Sequence, residues 1–265
     1  MPSDGRHWLT LVLALTVVAG GLFVGMPSAD SPPAPEDVFE GAFVHAEDLE
    51  GVEGVQVTTL ERDGEVVRSE RLAVRERPYT DYRHEVLDSS DPDRIGEEYV
   101  SNASGSWWYH PDEGTVTAYE PAEPFDDDAV RESRAEQADR QQRLYDLDYR
   151  GTETVADREA HRLAVTARNE STTAGISLLV GDVEFVYAAA TIDPTAELHV
   201  VEQTVWIDAE HDYPLAERLV VEDPDGDRYV LAERFESARF DPGFETGAFD
   251  FDPPANATVE RVTED

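Results

Sequence analysis

Carboxylates are the most abundant reactive groups in this chain, with 59 Asp and Glu among 265 residues. Two of them at a suitable separation are enough for general acid and base work on a glycoside. With so many, any pair qualifies and the count singles out none. The sequence holds no G-x-S-x-G nucleophile elbow, no H-E-x-x-H helix and no glycine-rich phosphate loop. His7, His45, His84, His110, His161, His199 and His211 show no four-residue pairing that would put two imidazoles on one metal ion. Cysteine is absent, which excludes disulfides, thiolate metal sites, a cysteine nucleophile and an acylated N-terminal cysteine. The pattern points to a chain that binds rather than catalyses, with no cofactor and no metal.

The aromatic run Trp107-Trp108-Tyr109 is the densest remaining feature. In a strand, Trp107 and Tyr109 share one face and Trp108 takes the other. One side then either fills the space between sheet and helix as core or lines an apolar cavity. His110 beside them reads first as a turn residue. Leu178, Leu179, Val180, Phe185, Val186 and Tyr187 likewise read as a buried hairpin or, if exposed, as a patch for a partner or a membrane.

All 21 basic residues are Arg, and the formal charge is −38. Such a chain repels itself in dilute buffer and stays hydrated where molar salt screens it, so the charge reads as adaptation to a high-salt organism. The acids are spread along the chain rather than blocked in one tail, which disfavours a dedicated acidic surface for a basic partner. Clustered Lys and Arg, which phosphate backbones require, are missing, so nucleic acid is not expected as a ligand.

Leu9 to Val24 is an uncharged apolar run preceded by Arg6 and His7. It is long for the core of a signal peptide and short for a spanning helix, and either reading exports the rest of the chain. Residues 1–29 are therefore a signal peptide or a membrane anchor, expected to start as a hydrophobic helix. Asp30 to Pro35 is a proline-rich linker, and residues 36–265 form one domain. The expected location is the extracytoplasmic face of the cell membrane, with the cytoplasmic membrane contacted through the N-terminal segment, or secretion if that segment is cut. Sequons at Asn102, Asn169 and Asn256 are possible N-glycosylation sites that agree with this placement.

The elements that would position these residues are mostly strands. Glu36 to Leu49 has the three-and-four spacing of an amphipathic helix, closed by Gly51. Val52 to Arg62 and Glu65 to Arg77 flank Asp63-Gly64, the dipeptide suited to a type I′ hairpin turn. Short strands come next at Tyr79 to Leu87, Glu97 to Ala103, Ser106 to His110 and Thr115 to Tyr119. Asp126 to Leu147 reads as a mostly exposed helix opened by an acidic run. Strands return at Glu153 to Ala156, Ala160 to Arg168, Ile176 to Val180, Val183 to Thr191, Glu197 to Asp208, Pro214 to Glu222 and Arg228 to Ala238. The fold class is mainly β (α+β), with one large curved antiparallel sheet, a half-barrel, and one or two helices across its concave face.

The order of these elements resembles the lipoprotein-sorting (LolA/LolB-like) superfamily. The resemblance is carried by Arg77-Pro78-Tyr79-Thr80-Asp81-Tyr82-Arg83, by Gly105-Ser106-Trp107-Trp108-Tyr109-His110-Pro111 and by Gly151 to Leu163. Trp206-Ile207-Asp208 with Tyr213-Pro214-Leu215, and Phe249 to Pro254 with Val259 in a closing C-terminal loop, complete it. It spans nearly all of residues 36 to 260. The stretch Ile176 to Ala190 has no counterpart, and the lipobox cysteine is missing. The resemblance implies a non-enzymatic carrier or receptor for a lipid or lipidated protein. Its apolar cavity would be lined by Phe43, Trp107, Tyr109, Leu179, Phe185, Tyr187 and Trp206. The sensor branch of the superfamily implies the alternative, a membrane-anchored module that uses the sheet to contact another protein.

Overall fold

Asp63 and Gly64 both take positive φ, 51° and 84°, the pair of left-handed residues that lets a two-residue turn match the twist of its strands. The hairpin they close is the centre of the molecule: β1 (Val52–Arg62) and β2 (Glu65–Arg77) pair antiparallel along their whole length. The computed structural model describes residues 32–168 and 198–262. The expected strands at 176–180 and 183–191, the N-terminal segment and Asn169 lie outside the described residues.

From β2 the chain meanders outward through β3 (Asp81–Ser89), β4 (Glu98–Asn102), β5 (Gly105–His110) and β6 (Thr115–Tyr119). On the other side come β7 (Tyr145–Val155), β8 (Arg158–Ala167), β9 (His199–Asp208), β10 (Pro214–Glu222) and β11 (Arg228–Phe240), with β11 pairing back on β1. A last strand, β12 (Thr258–Val262), lies parallel to β6. The result is one open sheet of 12 strands in the order β12-β6-β5-β4-β3-β2-β1-β11-β10-β9-β8-β7. Three strands separate β7 from β11, yet their Cα atoms approach within 8 Å, which flat strands at about 4.8 Å spacing would not allow. The sheet is therefore curved. Gly54 helps at its centre, because a Cβ there would meet the Ser237 carbonyl oxygen of β11 at 2.1 Å.

Three expectations are corrected. The sheet is mixed rather than wholly antiparallel, because Thr258–Val262, read as part of a closing loop, joins an edge strand about 140 residues earlier in parallel register. The first helix, α1 (Pro35–Val44), stops before Leu49, since His45 turns to φ 52° and the Ala46 amide donates to His211 O at 2.9 Å. The second, α2 (Asp127–Gln142), ends before Leu144 and Leu147, and Tyr145, Leu147 and Tyr149 instead alternate along β7. Asp126 caps α2 by accepting the Ala129 amide at 2.9 Å.

Both helices pack on the same face of the sheet, called here the inner face. Val38, Phe39, Ala42 and Phe43 of α1 and Ala138 of α2 form one apolar cluster with Tyr145, Leu163, Val165, Val205 and Ile207. Only Ala138 of α2 is buried, so that helix is held by a narrow stripe. Among the described residues no helix is long and apolar enough to cross a membrane.

A buried ionic network stiffens the β2–β5 side. Arg94, 5% exposed and presented by the 3-10 turn Pro92–Arg94, pairs with Glu70 of β2 and, at 2.9 Å, with Glu97. Arg68 and the Ser89 hydroxyl also bind Glu70, at 2.8 and 3.1 Å, and His110 Nδ1 meets Glu97 at 3.1 Å. Each buried charge is thus matched, the condition under which such a group is tolerated away from water.

Candidate functional site

Strand alternation aims Leu72, Val74 and Glu76 of β2 at the inner face, and Leu231, Glu233 and Phe235 of β11 beside them. Each triplet runs apolar residues into the core and places a carboxylate among them. Between these strands and the two helices lies a cavity of about 370 Å³. Its described walls are Ala42, Phe43 and His45 at the end of α1, Gln56 of β1, Val74 and Glu76 of β2, and Tyr79, Asp81 and Tyr82 around the start of β3. Tyr99 and Ser101 of β4, Arg134 and Gln137 of α2, Tyr213 and Pro214 at the start of β10, and Glu233 and Phe235 complete them.

The polar groups are organised in pairs. The Tyr213 hydroxyl donates to Glu76 Oε2 at 2.7 Å, and the Gln56 side-chain amide donates to Glu233. The Arg134 guanidinium lies 5.3 Å from the centre of the Tyr79 ring and 3.3 Å from His45 Nε2. His45 stacks on Tyr79 with ring planes 6° apart, and the Tyr79 hydroxyl donates to Val44 O. Asp127, in the first turn of α2, accepts from the Thr80 hydroxyl at 2.8 Å and ties that helix to the rim.

Burial shapes the protonation of this site. It pulls His45 from 6.5 to about 4; Arg134 adds to the fall, while Glu76 and the Asp212 backbone oppose it. The imidazole is therefore neutral at ordinary pH. Burial, reinforced by Glu76, pushes the Tyr213 hydroxyl well above its usual range, so it stays a donor. Burial also raises the Asp81 carboxyl against the pull of Arg77. The described walls thus present three carboxylates and one guanidinium between aromatic and aliphatic surfaces. Among the described residues no group of three His, Asp or Glu is placed to hold a metal ion.

Of the residues expected to line a cavity, Phe43 does so. Trp107 and Tyr109 do not, because the ladder of β4, β5 and β6 aligns Trp107 with Val100 and Ala118 on the opposite face, where it stacks on Phe251 at 6.1 Å. Trp108 takes the inner face, edge-on to Tyr99 at 6.0 Å. Trp206 also lies elsewhere: its neighbours Val205 and Ile207 enter the α1 cluster, while its Nε1 donates to Glu153 at 2.8 Å and Arg162 covers its ring. Leu179, Phe185 and Tyr187 fall outside the described residues. Asn102 is occupied, donating to Phe249 O at 2.9 Å and accepting from the Ser104 amide at 2.8 Å, whereas Asn256 is exposed in a turn.

No family model matches this sequence, and no curated protein matches it. Solved structures of similar chain path exist at low identity. An uncharacterized conserved protein from Thermus thermophilus is 14% identical, with 86% of this chain and 97% of that one covered and a TM-score of 0.43. The MucA/MucB complex of Pseudomonas aeruginosa gives 16% identity, 86% and 64% coverage and a TM-score of 0.46, so this chain spans under two thirds of that one. A LolA superfamily protein from Nitrosomonas europaea gives 10%, 82% and 97%, with a TM-score of 0.33. The functional argument rests on the cavity.

Proposed function

We propose that this is a non-enzymatic, extracytoplasmic binding domain whose inner cavity holds an amphiphile, either a lipid or the lipid-modified end of a protein. The observation that carries the reading is the cavity itself. At about 370 Å³ it falls in the range of ligand pockets, about 300–1,000 Å³. Phe43, Val74 and Phe235 give it apolar surface, and the Glu76–Tyr213 and Arg134–His45 pairs give it polar groups. A hydrocarbon segment gains by leaving water against the first, and a head group finds partners among the second. The rival reading, a module that only contacts another protein through its sheet, calls for an interior filled by its own side chains, whereas the described residues leave about 370 Å³ open.

The full-length protein, purified in molar salt from its own host, is extracted with organic solvent and analysed by mass spectrometry, with native mass spectrometry of the intact complex alongside. A stoichiometric lipid or lipopeptide is expected. A clean apo mass, together with failure to bind or displace a hydrophobic dye, overturns the reading in favour of the protein-contact module.

A further inference from the structure

Resting on that reading of the cavity, we infer that the ligand it selects carries a cationic group, an ammonium or guanidinium, which docks against Glu76 beside the tyrosine rings that border the cavity. Glu76 lies on the inner face of β2 next to Val74, and its hydrogen bond comes from the neutral Tyr213 hydroxyl. Among the described residues no Arg or His forms an ion pair with it. A carboxylate drawn partly out of water gains from a counter-charge brought to it, and the chain contains no Lys to reach in. Its basic neighbour in the cavity, Arg134, is engaged with the Tyr79 ring and His45.

The surrounding walls suit the same charge. Tyr82 and Tyr99 lie 6.1 Å apart between centroids with ring planes tilted by 53°, and aromatic faces attract cations, most strongly where water is excluded. Asp81, ion-paired with Arg77 at 3.3 Å, and Glu233, which accepts from Gln56, also border the cavity. An anionic head group would be repelled by Glu76, whose hydrogen-bond donor is a neutral hydroxyl, and a neutral one would bring it no counter-charge. Molar salt screens exposed charges but acts less on a partly buried pair, so selection by charge survives in the medium this acidic chain suits.

The test is calorimetric titration of the full-length protein in molar salt with octylammonium, octanoate and octanol, which share one tail. Octylammonium is expected to bind about tenfold more tightly than the other two, and Glu76→Gln to remove about that preference. Gln at this position can still accept from Tyr213, and the comparison of head groups on the unaltered protein needs no variant at all. Equal binding of the three, or a preference for octanoate, overturns the charge assignment and leaves the amphiphile reading standing. Binding of none overturns both.

Discussion

The Tyr213 hydroxyl donates to Glu76 Oε2 at 2.7 Å and joins two segments 137 residues apart across the floor of the cavity. Tyr213 is 5% exposed, so its hydroxyl has little water to fall back on. Tyr213→Phe keeps the ring and removes the donor. The expected loss is about 1–2 kcal/mol, read as a lower midpoint of urea unfolding in molar salt. An unchanged midpoint would show that the bond does not hold the floor together.

His45 makes the domain sensitive to mild acid. The unfolded chain takes up a proton near 6.5, whereas the folded chain refuses it until about 4. Stability therefore falls as pH drops through that window, by about 3 kcal/mol in all, and the loss is complete below it. The difference in unfolding midpoint between the wild type and His45→Gln, followed from neutral pH to about 4, should narrow by that amount. A difference independent of pH would mean that the imidazole is solvated.

Arg94 and Arg71 should behave in opposite ways, although each is paired with glutamate. Arg94→Met takes from Glu70 and Glu97 the buried cation they share, leaving Arg68 on the first and His110 on the second, and is expected to cost about 3 kcal/mol. Arg71 meets Glu236 at 2.8 Å with both side chains about half exposed, and Arg71→Ala is expected to change stability by less than about 1 kcal/mol. Chemical unfolding of the two variants gives the comparison, and similar costs would contradict the burial argument.

The charge of −38 makes a prediction about the medium. Between about 0.1 M and about 1 M salt the Debye length shrinks from about 10 Å to about 3 Å, and the repulsion among surface carboxylates shrinks with it. Thermal unfolding should shift upward over that range. A flat response would remove the reading of the charge as adaptation to salt.

How far the sequence reveals this architecture depends on whether a signal is local. Asp63-Gly64 announces its hairpin because two positive φ angles are a property of two adjacent residues, and both strands have the expected limits. Thr115–Tyr119 and Pro214–Glu222 are equally legible. The helical reading overruns at Leu147 because the long charged run of α2 hides the period of two that begins at Tyr145. Parallel pairing of β12 with β6 leaves no mark on either segment, since the partner is distant and no tight turn joins them.

The cavity obeys the same division. Phe43 is legible from helix amphipathicity. Glu76 and Glu233 escape a search for apolar lining, although each follows or interrupts inward apolar residues, Leu72 and Val74 on one strand and Leu231 and Phe235 on the other. That interruption is the signal which could find them. Trp107 is expected on the wrong face because alternation ranks residues into two sets without saying which set points inward; the ladder to Val100 decides it.

The roof of the cavity is also the first folded element after Pro33. Ala42, Phe43 and His45 all come from the end of α1 or the residue after it. That helix is fastened by side-chain packing and by scattered hydrogen bonds such as Gln142 Nε2 to Glu36 O at 3.0 Å, while β1 behind it carries ladders on both sides. Tension entering at the Pro33 end therefore peels a loosely fastened flap before it can shear the sheet. In mechanical terms the cavity is the weak link in series, expected to open under a pull that leaves the strands intact.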